Sequence, residues 1–242
     1  MKNIFVRYCY DGSGFFGSQK QPGLRTVQGE LEKALRIILP EKTRIITAGR
    51  TDRGVHALEQ VSNFDCRTPI PTERLFLALR NLAPPDIGIL EVKEVDFSFN
   101  ARFSAKEREY KYVLSDRVSP FTARYTSRVE VKPDIIRLGE ILDVFTGEHN
   151  FRNFMLVDTV EKNPVKKIFF IRIEERDGNV EIKIRGNSFG KSQIRLMIGA
   201  AMDVYAKKRN RNYIRDMLTD PMGNYEKKLA PPNGLYLSRI IY

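Results

Sequence analysis

The sequence predicts an α+β fold built from two related halves whose sheets are mainly antiparallel. Strand-like and helix-like segments of the first half follow the order strand, helix, strand, strand, helix, strand. The second half has similar content and contains the turn sequence Asp177-Gly178-Asn179 between two strand-like runs, which is typical of a hairpin. Mixed order with hairpins favours antiparallel sheets over a doubly wound parallel sheet.

Apolar periodicity indicates the elements of the first half. Residues 3–10 alternate between two faces and are rich in β-branched and aromatic side chains, which predicts a strand. Thr26 is a candidate N-cap for a helix whose apolar stripe ends before Pro40. Further strands are predicted at 44–47, 60–66 and 87–95, and a second helix is predicted to open at Pro71-Thr72.

The second half continues with alternating and helical segments. Residues 108–114 alternate, which places Tyr110 and Tyr112 on one face of a strand. A third helix is predicted to begin at Pro133 and to stop at Gly147. The last long helix is predicted to start at Ser192, and strands are predicted at 166–175, 180–185 and 235–241.

The chain contains no low-complexity linker, repeat or Gly/Ser tract, so two closely joined halves are expected rather than separate beads. We predict an N-terminal half at 1–104 and a C-terminal half at 105–242. A length of 242 residues is sufficient for either one large domain or two smaller ones that each bury a core.

The charge balance favours a polyanionic partner. Forty-one Lys and Arg against thirty Asp and Glu give a net charge of +11, as expected for a protein that binds nucleic acid. The alternative is that a basic protein is simply kept soluble by its charge, and composition alone does not separate the two.

Cysteine and histidine usage argues against a disulfide framework and a metal site. Cys9 and Cys66 lie in strand-like runs without Cys-x-x-Cys spacing, and four metal ligands would require both of them together with His56 and His149. No signal-peptide pattern or membrane-spanning apolar run is found, so we expect a reduced, soluble, cytoplasmic protein that needs neither a metal nor a cofactor.

The candidate catalytic residue is Asp52, in a loop bracketed by Gly49 and Gly54. These glycines allow a sharp turn and a close backbone approach to a ligand. A carboxylate between Arg50 and Arg53 should stay ionised because nearby positive charge stabilises the charged form, and an ionised carboxylate suits a nucleophile. The alternative is an ordinary Asp-x-Gly turn without chemistry.

The full string Ala48-Gly-Arg-Thr-Asp-Arg-Gly-Val-His-Ala57 resembles the motif of the tRNA pseudouridine synthase A family. Other segments match the family in order along nearly the whole chain: Tyr10-Asp-Gly12, Phe16-Gly-Ser-Gln19, Thr26-Val-Gln-Gly29, Pro85-Asp-Ile87, Phe99-Asn-Ala-Arg102, Arg108-Glu-Tyr-Lys-Tyr112 and Ala230-Pro-Pro-Asn-Gly-Leu-Tyr-Leu237. The resemblance implies the pseudouridine synthase fold, with the two sheets meeting at a central catalytic cleft.

The resemblance also implies an activity and a set of site residues. The activity is isomerisation of uridine to pseudouridine in the tRNA anticodon stem-loop, at family positions 38–40, by a homodimer. Asp52 matches the family's catalytic aspartate, which can attack the base, attack the sugar or abstract a sugar proton. Tyr110 matches a tyrosine at the flipped-out base, and Arg195 matches an arginine that pairs with the carboxylate. The candidate substrate-binding residues are Arg50, Arg53, Arg102, Arg108, Lys191 and Leu235.

The chain departs from the family pattern at two places. Lys191-Ser192-Gln193 precedes Arg195 where relatives have mainly apolar residues, histidine or methionine, so Lys191 is a second candidate for the cationic role. Ser18 stands where a tryptophan is usual. The alternative function is a non-catalytic RNA-binding protein on the same fold, which the Asp52 loop disfavours because a carboxylate facing a polyanion weakens binding.

Overall fold

The computed structural model describes residues 1–156 and 163–242. The chain divides into two compact units. Unit 1 comprises Met1–Lys106 together with Tyr236–Tyr242, and unit 2 comprises Glu107–Leu235.

Unit 1 contains five paired strands covered by two helices. Its elements are β1 (Lys2–Tyr10), α1 (Val27–Ile38), β2 (Ile46–Thr47), β3 (His56–Cys66), α2 (Thr72–Leu82), β4 (Ile87–Val95) and β10 (Leu235–Ile241, of which Leu235 is counted with unit 2). The strand order is β4-β1-β3-β10, and β2 pairs with β3. The β1–β3, β1–β4 and β2–β3 pairs are antiparallel, whereas β10 runs parallel to β3.

The core of unit 1 lies beneath the two helices. α1 begins as predicted, because the Thr26 hydroxyl accepts a hydrogen bond from the N–H of Gly29 at 3.2 Å. Leu31 and Leu35 of α1 are buried, as are Leu75 and Leu79 of α2. The apolar stripes read from the sequence are therefore the faces that pack inward.

Unit 2 contains its own set of mainly antiparallel strands. Its elements are β5 (Glu107–Ser115), β6 (Ser127–Arg128), α3 (Ile135–Asp143), β7 (Gly147–Asn150), β8 (Val165–Arg176), β9 (Asn179–Gly186), α4 (Gln193–Tyr205) and α5 (Tyr213–Thr219). The strand order is β5-β9-β8-β7, and the short β6 pairs parallel to β5. The β8–β9 hairpin is confirmed, with Asp177 (φ 50°) and Gly178 (φ 78°) at its turn.

The structure confirms the α+β class with mainly antiparallel sheets. It differs from the predicted bounds of α3, whose N-cap is Asp134 rather than Pro133: the Asp134 carboxylate accepts from the N–H of Arg137 at 2.8 Å. α3 also ends at Asp143, before Gly147, which starts β7 with φ 106°. The predicted division at 104/105 stays a prediction, although β10, assigned from sequence to the second half, pairs with β3 of unit 1.

Candidate active site

The loop between β2 and β3, residues 48–55, carries Asp52 and is called the Asp52 loop. Its start is fixed to β3 by two hydrogen bonds. The N–H of Ala48 donates to the Val61 carbonyl at 2.9 Å, and the Gln60 amide donates to the Gly49 carbonyl at 2.9 Å. The first residues of the loop are therefore positioned by the sheet.

Thr51, directly before Asp52, is held at three atoms. Its N–H donates to the Ser18 hydroxyl at 2.8 Å, and its carbonyl accepts from the Ser18 N–H at 3.1 Å. We call these two bonds the Ser18 clamp. The Thr51 hydroxyl also shares a 2.8 Å hydrogen bond with the hydroxyl of Tyr10. All three residues are buried, so water does not compete for these bonds.

The loop closes in a turn after Asp52. The Val55 N–H donates to the main-chain carbonyl of Asp52 at 3.2 Å, and Gly54 has φ 78°, a conformation that favours glycine. Asp52 is half-buried, whereas Arg50 and Arg53 are exposed. The turn that the alternative interpretation required is therefore present, and it is closed by the main chain of Asp52.

The N-terminal loop after β1 packs against the end of the Asp52 loop. The Gly12 N–H donates to Nδ1 of His56 at 3.0 Å, and the same nitrogen lies 3.2 Å from a carboxylate oxygen of Asp11. A Cβ at Gly12 would lie 2.0 Å from the carbonyl oxygen of Val55, so only glycine fits there. The His56 ring stacks on Tyr236 with centroids 4.7 Å apart. His56, on β3, thus contacts both the loop after β1 and β10 beside the site.

Burial raises the pKa of Tyr10 to about 12, against the lowering effect of hydrogen bonds from Thr51 and Gln60. The phenol therefore stays neutral at physiological pH and keeps its hydroxyl proton available for the bond with Thr51.

Arg102, a predicted substrate-binding residue of unit 1, lies in an exposed turn. Its N–H donates to the Asn100 side chain at 3.0 Å, and its guanidinium carbon lies 5.5 Å from the centroid of the Phe103 ring. Phe103 is 79% exposed. This turn therefore presents the cation of Arg102 and the aromatic ring of Phe103 to solvent.

In unit 2, Tyr110 lies on β5 opposite Ile184 of β9. Its side chain is buried, and its ring meets Phe189 edge-on, with centroids 5.1 Å apart and an interplanar angle of 81°. Arg108, on the same strand, donates from its guanidinium to the Asn187 carbonyl at 3.0 Å. Both partners lie between β9 and α4, so this segment positions the two β5 side chains.

Arg195 lies in the first turn of α4. Its Nε donates to the Ala230 carbonyl at 2.8 Å, and its own carbonyl accepts from the Ala230 N–H at 3.0 Å. Burial raises the pKa of Tyr112 to about 12, against the lowering effects of a hydrogen bond with Ser127 and of the positive charge of Arg195. Lys191 is exposed, and its carbonyl accepts from the Leu156 N–H at 3.2 Å.

The helix start agrees with the sequence prediction to within one residue, since Ser192 is the N-cap residue and α4 begins at Gln193. Ser192 has φ 58° and its hydroxyl does not cap the helix; instead, the side chain of Gln193 accepts from the Gly190 N–H at 2.8 Å. Leu235 is 5% exposed at the start of β10, as expected for a packed leucine.

The predicted residues thus fall into small groups within each unit. Unit 1 brings Arg50, Asp52 and Arg53 into one loop and places Arg102 in a separate turn. In unit 2, Arg108 and Tyr110 lie on β5, and Lys191 and Arg195 lie near the start of α4. Leu235 is the last residue of unit 2. The roles assigned to them remain predictions.

The sequence assigned no role to Ser18, Tyr10 and His56, which support the Asp52 loop. Ser18 carried one usable signal, since it replaces the tryptophan usual in the family. His56 and Tyr10 lie inside matching motifs, but a motif does not show which member touches which.

Cys9 and Cys66 are free thiols, and burial raises the pKa of Cys66. Among residues 1–156 and 163–242, no group of three or more His, Cys, Asp and Glu side chains is arranged to hold a metal ion. Within the same residues, every helix is too short or too polar to cross a membrane.

Comparison with known proteins gives a consistent result. The family described as tRNA pseudouridine synthase matches residues 8–104 and 141–242. Proteins named tRNA pseudouridine synthase A are similar over their full length: that of Caldicellulosiruptor bescii is 34% identical, covering 100% of both chains, and that of Borreliella burgdorferi is 35% identical, covering 100% of both. That of Bacillus pumilus is 37% identical over 96% of each chain.

Proposed function

Because the chain belongs to the tRNA pseudouridine synthase A family, we propose that it is an isomerase that converts uridine to pseudouridine in tRNA. The finer part of the proposal is the target, the uridines at positions 38–40 of the anticodon stem-loop. A net charge of +11 supports a polyanionic substrate of this kind. The protein is proposed to work in the cytoplasm as a homodimer, as the family resemblance implies.

The reaction rearranges bonds within one nucleotide. The bond between N1 of uracil and C1′ of ribose breaks, the base turns, and a bond forms between C5 and C1′. C5 loses its proton and N1 gains one, so no redox partner or external group is consumed. The enzyme must supply a group that activates the glycosidic bond, donors or acceptors for the two protons, and a site that holds the detached base.

Asp52 is proposed to supply the activating carboxylate. The observation that carries this proposal is the construction of the Asp52 loop: Thr51 is held at three atoms and Gly49 at its carbonyl, which fixes the backbone on the N-terminal side of a half-buried carboxylate. A group held in place by its surroundings needs little reorganisation as the reaction proceeds.

Further roles are proposed for residues of unit 2. Tyr110 is proposed to contact the flipped-out base, and its edge-on packing against Phe189 would fix its ring for that role. Arg195 is proposed to pair with the catalytic carboxylate, with Lys191 as the alternative cation. Substrate binding is proposed for Arg50, Arg53 and Arg102 of unit 1 and for Arg108, Lys191 and Leu235 of unit 2.

The target is tested by mapping pseudouridine in unmodified tRNA transcripts after treatment with the enzyme, using carbodiimide modification and primer extension. We expect primer-extension stops that report pseudouridine at positions 38–40 and at no other position. Pseudouridine outside the anticodon stem-loop would contradict the proposed target but not the enzyme class. Binding of tRNA with no pseudouridine at any position would favour the non-catalytic RNA-binding alternative. Sedimentation at several protein concentrations tests the dimer.

A further inference from the structure

A cation–π contact lies beside the Asp52 loop in unit 1. The guanidinium carbon of Arg53 is 4.3 Å from the centroid of the Phe16 ring, and we call this pair the Arg53–Phe16 stack. Arg53 is exposed, and Phe16 is 39% exposed. A guanidinium that lies on an aromatic ring can stack a second planar group on its other face.

The two residues of the Arg53–Phe16 stack are anchored by segments that are bonded to each other. Phe16 lies two residues before Ser18, and Arg53 lies two residues after Thr51, the residue that Ser18 is bonded to in the Ser18 clamp. Phe16 is also fixed at its main chain, since its N–H donates to the Arg25 carbonyl at 2.9 Å and its carbonyl accepts from the Gln21 amide at 2.9 Å. A contact fixed before binding loses less entropy when a ligand arrives.

A second pair in the same loop shows what a purely structural contact of this type looks like. The guanidinium carbon of Arg25 also lies 4.3 Å from a ring centroid, that of Phe15. However, Phe15 is 1% exposed, and Arg25 donates to both carboxylate oxygens of Asp86, at 2.7 and 2.9 Å. Within the described residues Arg53 makes no ion pair, so its charge is not already neutralised by a carboxylate.

We propose that the Arg53–Phe16 stack is a subsite for a nucleobase of the RNA, namely that of a nucleotide next to the target uridine. This inference rests on the proposed function, in which the target uridine reacts at Asp52, and Arg53 directly follows Asp52 in the chain. When a base is flipped out, its neighbours lose a stacking partner and expose a π-face. The free face of the Arg53 guanidinium provides a replacement partner that accepts any base, since every base has such a face.

The test is a double-mutant cycle between protein and RNA. An anticodon stem-loop RNA is prepared intact and with an abasic nucleotide either 5′ or 3′ of the target uridine. The dissociation constant is measured by fluorescence anisotropy for the wild type, Arg53→Lys and Arg53→Gln. Arg25→Lys and Arg25→Gln are the matched controls, because they change the same side chain in the same type of contact. Thermal unfolding of each variant checks that the fold is retained.

Arg53→Lys is expected to weaken binding of the intact RNA about 5-fold or more, because lysine keeps the charge but not the plane that stacks. For the RNA lacking the stacked base, the wild type and Arg53→Lys are expected to bind equally, within about 2-fold. The Arg25 variants are expected to change binding of both RNAs by less than about 2-fold.

Three results would overturn the subsite. In the first, Arg53→Lys binds like the wild type while Arg53→Gln binds weakly with a salt slope lower by about 1, which indicates a phosphate contact. In the second, the loss persists on both abasic RNAs. In the third, neither Arg53 variant changes binding. Failure of the proposed function gives a different result, since the wild type would then bind the RNA and form no pseudouridine, while the cycle still reports on the stack.

Discussion

Replacement of Ser18 by alanine is expected to lower both stability and turnover. The substitution removes the hydroxyl that accepts from the Thr51 N–H at 2.8 Å and leaves that donor buried, since Ser18 is 4% and Thr51 8% exposed. A buried donor without a partner costs about 1–3 kcal/mol. The second bond of the clamp, from the Ser18 N–H to the Thr51 carbonyl, is a main-chain bond and remains.

The expected loss converts to a measurable shift. A chain of this size loses roughly 2–4 °C in Tm for each kcal/mol, so Ser18→Ala should melt roughly 2–12 °C below the wild type. Because Thr51 precedes Asp52, looser placement of the carboxylate should lower kcat about 10-fold or more, with the KM for tRNA nearly unchanged. Calorimetry measures the shift in Tm, and steady-state pseudouridine formation at varied tRNA concentration measures kcat and KM.

Ser13→Ala is the matched control, since Ser13 is exposed in the same N-terminal loop and its main-chain N–H, not its hydroxyl, bonds to Asp11. We expect this variant to match the wild type in Tm and in kcat. A Ser18→Ala protein with wild-type Tm and kcat would refute the argument that the Ser18 clamp positions the Asp52 loop. A loss confined to Tm would show that the clamp stabilises the fold without tuning catalysis.

Two further predictions concern the same region and the buried tyrosines. Gly17→Ala should lower kcat and Tm more than Gly23→Ala. Both glycines have positive φ (90° and 71°), but only at Gly17 would a Cβ lie 3.0 Å from the Thr51 carbonyl oxygen. Equal losses of the two variants in calorimetry and in turnover would contradict this. Burial raises the pKa of Tyr10 and Tyr112 to about 12, whereas an unfolded tyrosine titrates near 10. The contribution of these two phenols to the free energy of unfolding is therefore complete below about pH 10 and is lost as pH rises to about 12. Urea unfolding should show a loss on the order of 3 kcal/mol per tyrosine over that range, and a flat profile would refute it.

Much of the fold could be predicted because local signals agreed with tertiary packing. α1 begins and ends where Thr26 and Pro40 indicated, and the turn at Asp177-Gly178 gave the β8–β9 hairpin. β10 shows the limit of such reasoning. The sequence predicts a strand at 235–241, but its parallel pairing with β3 depends on contacts far apart in sequence, which the local sequence does not specify.

The candidate site shows the same division. A motif match singled out Asp52 and its neighbours, and the turn at Gly54 could be read from the glycine itself. The support of the loop by Ser18 could not be predicted: its replacement of the family's usual tryptophan marks the position, but the sequence does not show that its hydroxyl bonds to the distant main chain of Thr51. The sequence likewise does not predict that Arg25 forms an ion pair whereas Arg53, within the part of the chain that the structure describes, does not, since the partner of Arg25 is Asp86, about sixty residues away.

Tritium release from tRNA labelled at C5 of uracil tests most directly whether Asp52 performs chemistry on tRNA. Release by the wild type is compared with release by Asp52→Asn and Asp52→Ala, and the binding of each protein to the same tRNA is followed in parallel. We predict release by the wild type, none by either variant, and tRNA affinity equal to or tighter than that of the wild type, because the variants remove a negative charge that faces a polyanion. Release by Asp52→Asn at the wild-type rate, or binding without release by the wild type across a full set of unmodified tRNAs, would contradict the claim.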